Sequence, residues 1–172
     1  MKNIIVVTGG AGFIGSNLVD RLSKIKKYQI YSLDNYSAGT KKNHIKKKNV
    51  IYIKGDTKNI EKYFKKKIKK IKTIFHFGEF SRIYQSFKNF DKCMDSNLIG
   101  TKSVFNFCLK YKIKLIYSAT SASIGNKGED KNLSPYAFSK AKNLEFLENL
   151  RKWFNFKYEV IFFYNVYGPN QI

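Results

Sequence analysis

The sequence predicts an α/β fold: a doubly wound parallel sheet of six strands, in the order 3-2-1-4-5-6, with helices on both faces. Short apolar runs recur at residues 4–7, 29–33, 50–53, 73–77, 114–117 and 158–163, the first of them β-branched and suited to a strand buried on both faces. Helical patterns lie between them, the longest at about residues 91–111 and 136–154. Such alternation calls for right-handed crossovers and a parallel sheet. At 172 residues, with 43% hydrophobic and 16% aromatic content, the chain can bury one sizeable core, so a single domain over residues 1–172 is expected.

The first strand runs directly into "TGGAGFIG", residues 8–15, and from Phe13 onward Phe13, Ile14, Leu18, Val19 and Leu22 recur at helical spacing. Gly9, Gly12 and Gly15 therefore occupy a strand-to-helix turn. A side chain at the first would obstruct the turn, one at the second would hold an anion off the backbone, and one at the third would push the helix from the strand. The unpaired N–H groups of such a helix start attract a pyrophosphate. The second strand ends at Asp34, followed by Asn35. An acid there accepts hydrogen bonds from both adenosine ribose hydroxyls and repels a 2′-phosphate, which argues for NAD over NADP. Together these features predict a Rossmann-type sheet.

In such sheets the ligand lies across the carboxyl ends of the strands. The residues that follow the apolar runs are small or polar: Gly55 and Asp56, Gly78 and Glu79, Ser118 to Ser121, and Asn165. Asp56 suits an adenine amino group, and equally a helix N-cap, a role open to Thr57 as well. In "SPYAFSK", residues 134–140, Tyr136 and Lys140 stand four apart on one helix face, with Pro135 suited to the first turn. A tyrosine with its ordinary pKa of about 10 is a poor base, but an adjacent ammonium stabilises the phenolate. It can then exchange a proton with a substrate hydroxyl. Thr120, after the fifth strand, can hydrogen-bond the same hydroxyl.

The formal charge of +21 would attract anions, including nucleic acid or acidic lipid. Nearly all of it is lysine, with Arg21, Arg82 and Arg151 the only arginines. Nucleic-acid readers exploit the bidentate geometry of arginine, so an AT-rich coding bias is the leading explanation and nucleic acid a minor alternative partner. Cys93, Cys108, His44 and His76 lack neighbours at metal-ligand spacing, and no metal is expected. No apolar stretch approaches the roughly 20 residues that span a bilayer, so a cytoplasmic protein without a membrane partner is expected.

In order and spacing, "TGGAGFIG", "LDN" (33–35), "GD" (55–56), "FHFG" (75–78), "NLIGT" (97–101), "YSATSASIG" (117–125), "SPYAFSK" and "NVYGPNQ" (165–171) closely resemble the extended short-chain dehydrogenase/reductase family. The likeness is to its NAD-dependent nucleotide-sugar epimerases and dehydratases. It implies a catalytic set of Thr120, Tyr136 and Lys140, with Lys140 also holding the nicotinamide ribose. Gly9, Gly12, Phe13, Ile14, Gly15, Asp34, Asn35, Asp56, Thr57, Phe77, Gly78, Asn97 and Ser118 would line the cofactor, and Asn165 would sit near the nucleotide sugar. In the epimerases it resembles, Tyr136 would remove a hydroxyl proton while hydride passes to NAD and returns to the other face of a keto-sugar.

The departures narrow the class. The 4,6-dehydratases carry Thr-Asp-Glu where this chain has Thr120, Ser121 and Ala122, so the acid pair for eliminating water is missing and an epimerase is implied. Glu79 replaces a small residue usual after the fourth strand, and with Arg82 in the same loop it is a candidate substrate contact. Family members continue beyond "NVYGP" with a substantial substrate-binding region, so a shortened form lacking that region is expected, with an NAD-binding module without turnover as the alternative. A homodimer through the helices at 91–111 and 136–154 is the expected assembly.

Overall fold

The computed structural model describes residues 2–124 and 126–171; Gly125, which closes the motif at 117–125, lies outside the described residues. The strands are β1 (Asn3–Thr8), β2 (Tyr28–Asp34), β3 (Val50–Lys54), β4 (Ile71–His76), β5 (Lys114–Thr120) and β6 (Tyr158–Phe163). They form one parallel sheet in the order β3-β2-β1-β4-β5-β6, as expected from the alternation. The helices are α1 (Phe13–Ser23), α2 (Ile60–Phe64), α3 (Ile83–Lys88), α4 (Phe90–Met94), α5 (Thr101–Lys110) and α6 (Pro135–Phe154).

The pleat of β1 divides the core. Ile4 and Val6 join α2, α5 and α6 residues such as Phe64, Phe105 and Leu147 on one face, while Ile5 and Val7 pack with Val19 of α1 on the other. A parallel sheet buried on both faces needs such continuous apolar strands. At the free edge, β6 leaves Ile161 and Phe162 38% and 39% exposed. No helix among the described residues is long and apolar enough to cross a membrane.

Several elements differ from the sequence expectation, and β5 continues past the expected end at Tyr117 to Thr120. β4 starts at Ile71, two residues before the expected position, because the lysine-rich segment Lys65–Lys70 forms a short 3-10 turn that runs straight into the strand. The pairing of β1 with β4 shifts register between Ile4 and Ile5. The helix expected over 91–111 is interrupted by a π-helical stretch at Asp95–Gly100, between α4 and α5. That wider turn brings Asn97 into the interior, where it is fully buried and hydrogen-bonds both the N–H and the carbonyl of Phe80. Phe105, Leu147 and Leu150 are buried within this protomer's own core and so are not free for a dimer contact.

Candidate functional site

The turn after β1 forms the floor of the site. Gly9 adopts φ +69°, and a Cβ there would stand 2.6 Å from the Phe77 carbonyl oxygen. A Cβ at Gly15 would fall 2.1 Å from the Gly9 carbonyl oxygen, so α1 can approach β1 only with glycine at that point. Gly12 differs: its Cβ would meet nothing within 3.3 Å, and the nearest atom is again the Gly9 oxygen. The first turn of α1 has no capping side chain and no acid, which leaves its N–H groups to an anion.

Asp34 ends β2 beside this turn and is 8% exposed. Its Oδ2 accepts from the Ala11 N–H at 2.9 Å and its Oδ1 from the Tyr36 N–H at 2.8 Å. A carboxylate offers about four acceptor positions, so each oxygen retains capacity for a hydroxyl.

A cleft of about 370 Å³ opens over the carboxyl ends of the strands. Of the expected residues, Gly9, Gly12, Phe13, Ile14, Gly15, Asp34, Asn35, Thr57, Phe77, Gly78, Glu79, Arg82, Ser118, Thr120, Tyr136 and Lys140 border it. Three do not. Asn97 is sequestered by Phe80 and by Ser139, whose Oγ accepts from Asn97 Nδ2 at 3.0 Å. Asp56 caps the turn Thr57–Asn59, accepting from Lys58 N–H at 2.9 Å and from Asn35 Nδ2 at 3.2 Å. Asn165 is exposed after β6, while its neighbours Tyr164 and Val166 reach the cleft. The sequence reading omitted the small residues Ser37, Ala38 and Gly39, which also border it. Gly39 packs so closely on Ala11 that its Cβ would lie 2.8 Å from the Ala11 carbonyl carbon, a long-range contact with no local sequence signal.

At the other end of the cleft, Ser134 caps α6 by accepting from the Ala137 N–H at 3.0 Å, and Pro135 occupies the first turn. This start fixes Tyr136 and Lys140, which are 9% and 4% exposed. The Tyr136 hydroxyl makes no hydrogen bond among the described residues. Thr120 accepts from the Ala122 N–H at 3.3 Å through its own Oγ1, which keeps its hydroxyl hydrogen for a ligand.

Lys140 has a partner the sequence did not announce. Its Nζ donates to Glu79 Oε2 at 2.5 Å and to the Ser118 carbonyl at 2.6 Å. Glu79, expected to touch substrate, instead turns its carboxylate inward, with 2% of the side chain exposed. Glu79 Oε1 also accepts from Thr101 Oγ1 at 3.0 Å, from the Tyr117 hydroxyl at 3.1 Å and from Asn143 Nδ2 at 3.2 Å. The direction of the Thr101 bond fixes the histidine beyond it. Thr101 gives its hydrogen to Glu79, so it accepts from His76 Nε2 at 2.9 Å, and His76 Nδ1 accepts from Thr8 Oγ1 at 2.7 Å. Thr8 in turn accepts from the N–H groups of Phe77 and Gly78. Burial pushes His76 down to about 4, so this ring is neutral at physiological pH. Burial, reinforced by the Glu79 charge, raises Tyr117 well above the ordinary tyrosine range.

No group of three His, Cys, Asp or Glu side chains among the described residues could hold a metal ion. Cys93 and Cys108 are free and buried, and burial raises both thiols. The bare backbone of Gly12 at the cleft, the uncapped start of α1 and the spare acceptor capacity of Asp34 fit a dinucleotide with its pyrophosphate over the glycine turn.

A family model described as the NAD dependent epimerase/dehydratase family matches residues 5–172. The ADP-L-glycero-D-manno-heptose-6-epimerase of Brachyspira hyodysenteriae is 34% identical over 182 residues, covering 98% of this chain and 56% of that protein. Among solved structures, the Thermus thermophilus UDP-glucose 4-epimerase complexed with NAD superposes with a TM-score of 0.86 at 26% identity, covering 98% of this chain and 57% of that one. The UDP-N-acetylglucosamine 4-epimerase of Methanobrevibacter ruminantium M1, in complex with UDP-N-acetylmuramic acid, has a TM-score of 0.86 at 29% identity, covering 100% of this chain and 58% of that one. The chain spans a little over half the length of these relatives.

Proposed function

The chain belongs to the NAD-dependent epimerase/dehydratase family, and on that premise we propose that it is the cofactor-binding and catalytic part of a nucleotide-sugar epimerase, acting in the cytoplasm as a homodimer. The observation that carries the reading is that Thr120, Tyr136 and Lys140 border the same cleft as the glycine turn and Asp34. The proton-handling groups and the dinucleotide cradle thus serve one ligand cavity.

Asp34 would hold the adenosine ribose, Gly12 and the α1 start the pyrophosphate, and Asn35 and Thr57 the adenosine end. NAD, the cofactor of this family, supplies the hydride acceptor and donor when bound. Tyr136 is the proton acceptor and donor for a sugar hydroxyl, since its own hydroxyl has no other partner among the described residues. Thr120 orients that hydroxyl, and Lys140 favours the phenolate electrostatically. Ser121 and Ala122, which stand where dehydratases of the family resembled carry Asp and Glu, favour epimerisation over elimination.

The test is incubation of the protein and NAD with a panel of UDP-, ADP- and dTDP-sugars, followed by proton NMR of the sugar ring. Appearance of an epimer without net NADH supports the reading. NAD binding with no conversion of any sugar favours the NAD-binding module without turnover.

A further inference from the structure

We propose that Glu79 is a positioning residue for Lys140: its buried carboxylate holds the ammonium against the wall of the cleft and leaves one N–H directed to a hydroxyl of the bound cofactor. This rests on the functional reading above and assigns Glu79 a task in it other than contact with substrate.

The Glu79–Lys140 pair stands apart from the other ion pairs among the described residues. Its side chains are 2% and 5% exposed, whereas both members of every other pair are at least 36% exposed. Exposed pairs contribute little and are screened by salt. A buried pair couples its members, because removing one leaves the other as an uncompensated charge out of water.

The geometry of the ammonium supplies the second half of the argument. Lysine has three N–H donors on a long flexible stem. Two are committed at short range, to Glu79 Oε2 at 2.5 Å and the Ser118 carbonyl at 2.6 Å. The remaining contact, to Ser118 Oγ, is 3.4 Å, beyond the usual range for a strong hydrogen bond. That third donor is available to a ligand in the cleft that Lys140 borders. Without Glu79, the Ser118 carbonyl and the face of the Tyr117 ring, its centroid 5.0 Å from Nζ, would be left to restrain the head of the side chain.

Three donors besides Lys140 hold Glu79: Thr101 of α5, Tyr117 of β5 and Asn143 of α6 donate to its Oε1, while Ser118 Oγ, 3.3 Å from Oε2, gives its one hydrogen to the His76 carbonyl at 2.9 Å. Every partner is a donor, the environment that an acceptor-only carboxylate requires. The other titratable groups facing the pair are His76 of β4, Cys93 of α4, Tyr117 of β5 and Tyr136 on the same helix as Lys140. With His76 neutral, Glu79 is the charge that answers the ammonium.

A double-mutant cycle tests this. NAD affinity is measured by calorimetry for the wild type, Glu79→Gln, Lys140→Met and the double variant, with thermal melting recorded for all four. A loss on the order of tenfold in affinity is expected for Glu79→Gln, with the double variant no weaker than Lys140→Met alone. A wild-type affinity in Glu79→Gln, or an undiminished effect of that substitution in the Lys140→Met background, overturns the proposal. A purely structural role would give the latter result. If the wild type binds no NAD, the functional reading fails and the melting cycle decides the pair separately. Each single variant is then expected to melt lower than the double variant, and additive losses overturn the pairing. Should Glu79→Gln alone not fold, folding of the double variant supports the proposal and its failure overturns it.

Discussion

Gly15→Ala is expected to unfold the cofactor turn, while Gly12→Ala leaves the fold intact and abolishes NAD binding. Alanine gains about 1 kcal/mol of helix propensity over glycine inside a helix, which favours the substitution at Gly15 but not at Gly12, the extended N-cap of α1. At Gly15 that gain is overwhelmed, because the new methyl would lie 2.1 Å from the Gly9 carbonyl oxygen and 2.8 Å from its carbon. These are backbone atoms held by the Gly12 N–H and by pairing around β1, so nothing flexible can give way. A loss of about 3 kcal/mol or more is expected, in the range of severe core overpacking. At Gly12 the nearest atom to the new methyl is 3.3 Å away. That contact with the Gly9 oxygen is tight but asks for a shift of only a few tenths of an ångström. The protein is therefore expected to fold with a modest loss of stability, while the methyl occupies the approach to the N–H groups at the start of α1. Thermal melting and calorimetric titration of both variants read the two effects separately; an intact Gly12→Ala protein with wild-type NAD affinity would place the pyrophosphate elsewhere.

Tyr136→Phe is expected to lower turnover of the nucleotide sugar by about 10²–10⁴-fold while leaving folding and NAD affinity nearly unchanged. The phenylalanine keeps the ring and removes an oxygen that has no hydrogen-bond partner among the described residues, so no buried donor or acceptor is stranded. The effect therefore falls on proton transfer. Rates measured under saturating sugar, beside a melting curve, check it. A variant retaining more than about a tenth of wild-type turnover would move the proton-transfer role away from Tyr136.

The sheet was legible because its strands are continuous apolar runs and because the glycine turn has a steric meaning at each position. Gly9 and Gly15 stand in the structure where a side chain would strike backbone, one at the turn and the other between α1 and β1. The row of small and polar residues after the strands likewise marked most of the cleft. What stayed hidden depends on side-chain direction across long sequence distances. Nothing local to Glu79 says that Lys140, 61 positions away, will reach it, or that Thr101 and Tyr117 will point to the same carboxylate. Asn97 was legible as a motif residue but not as a clamp on Phe80, because the π-helical stretch that turns it inward leaves no periodicity signal in so short a span. For Asp56, N-cap and adenine contact are both compatible with the sequence. The structure shows the N-cap, with one oxygen accepting from Lys58 and the other from Asn35, and Asp56 does not border the cleft.

The central claim is that Asp34 and the glycine turn form a site for NAD, and calorimetric titration of NAD into the wild type and Asp34→Ala tests it most directly. The account predicts saturable binding by the wild type, weaker binding of NADP, and a loss of about tenfold or more for Asp34→Ala, the cost of hydrogen bonds to a charged acceptor. Absence of NAD binding by the folded wild type, or equal affinity in the two proteins, would contradict it.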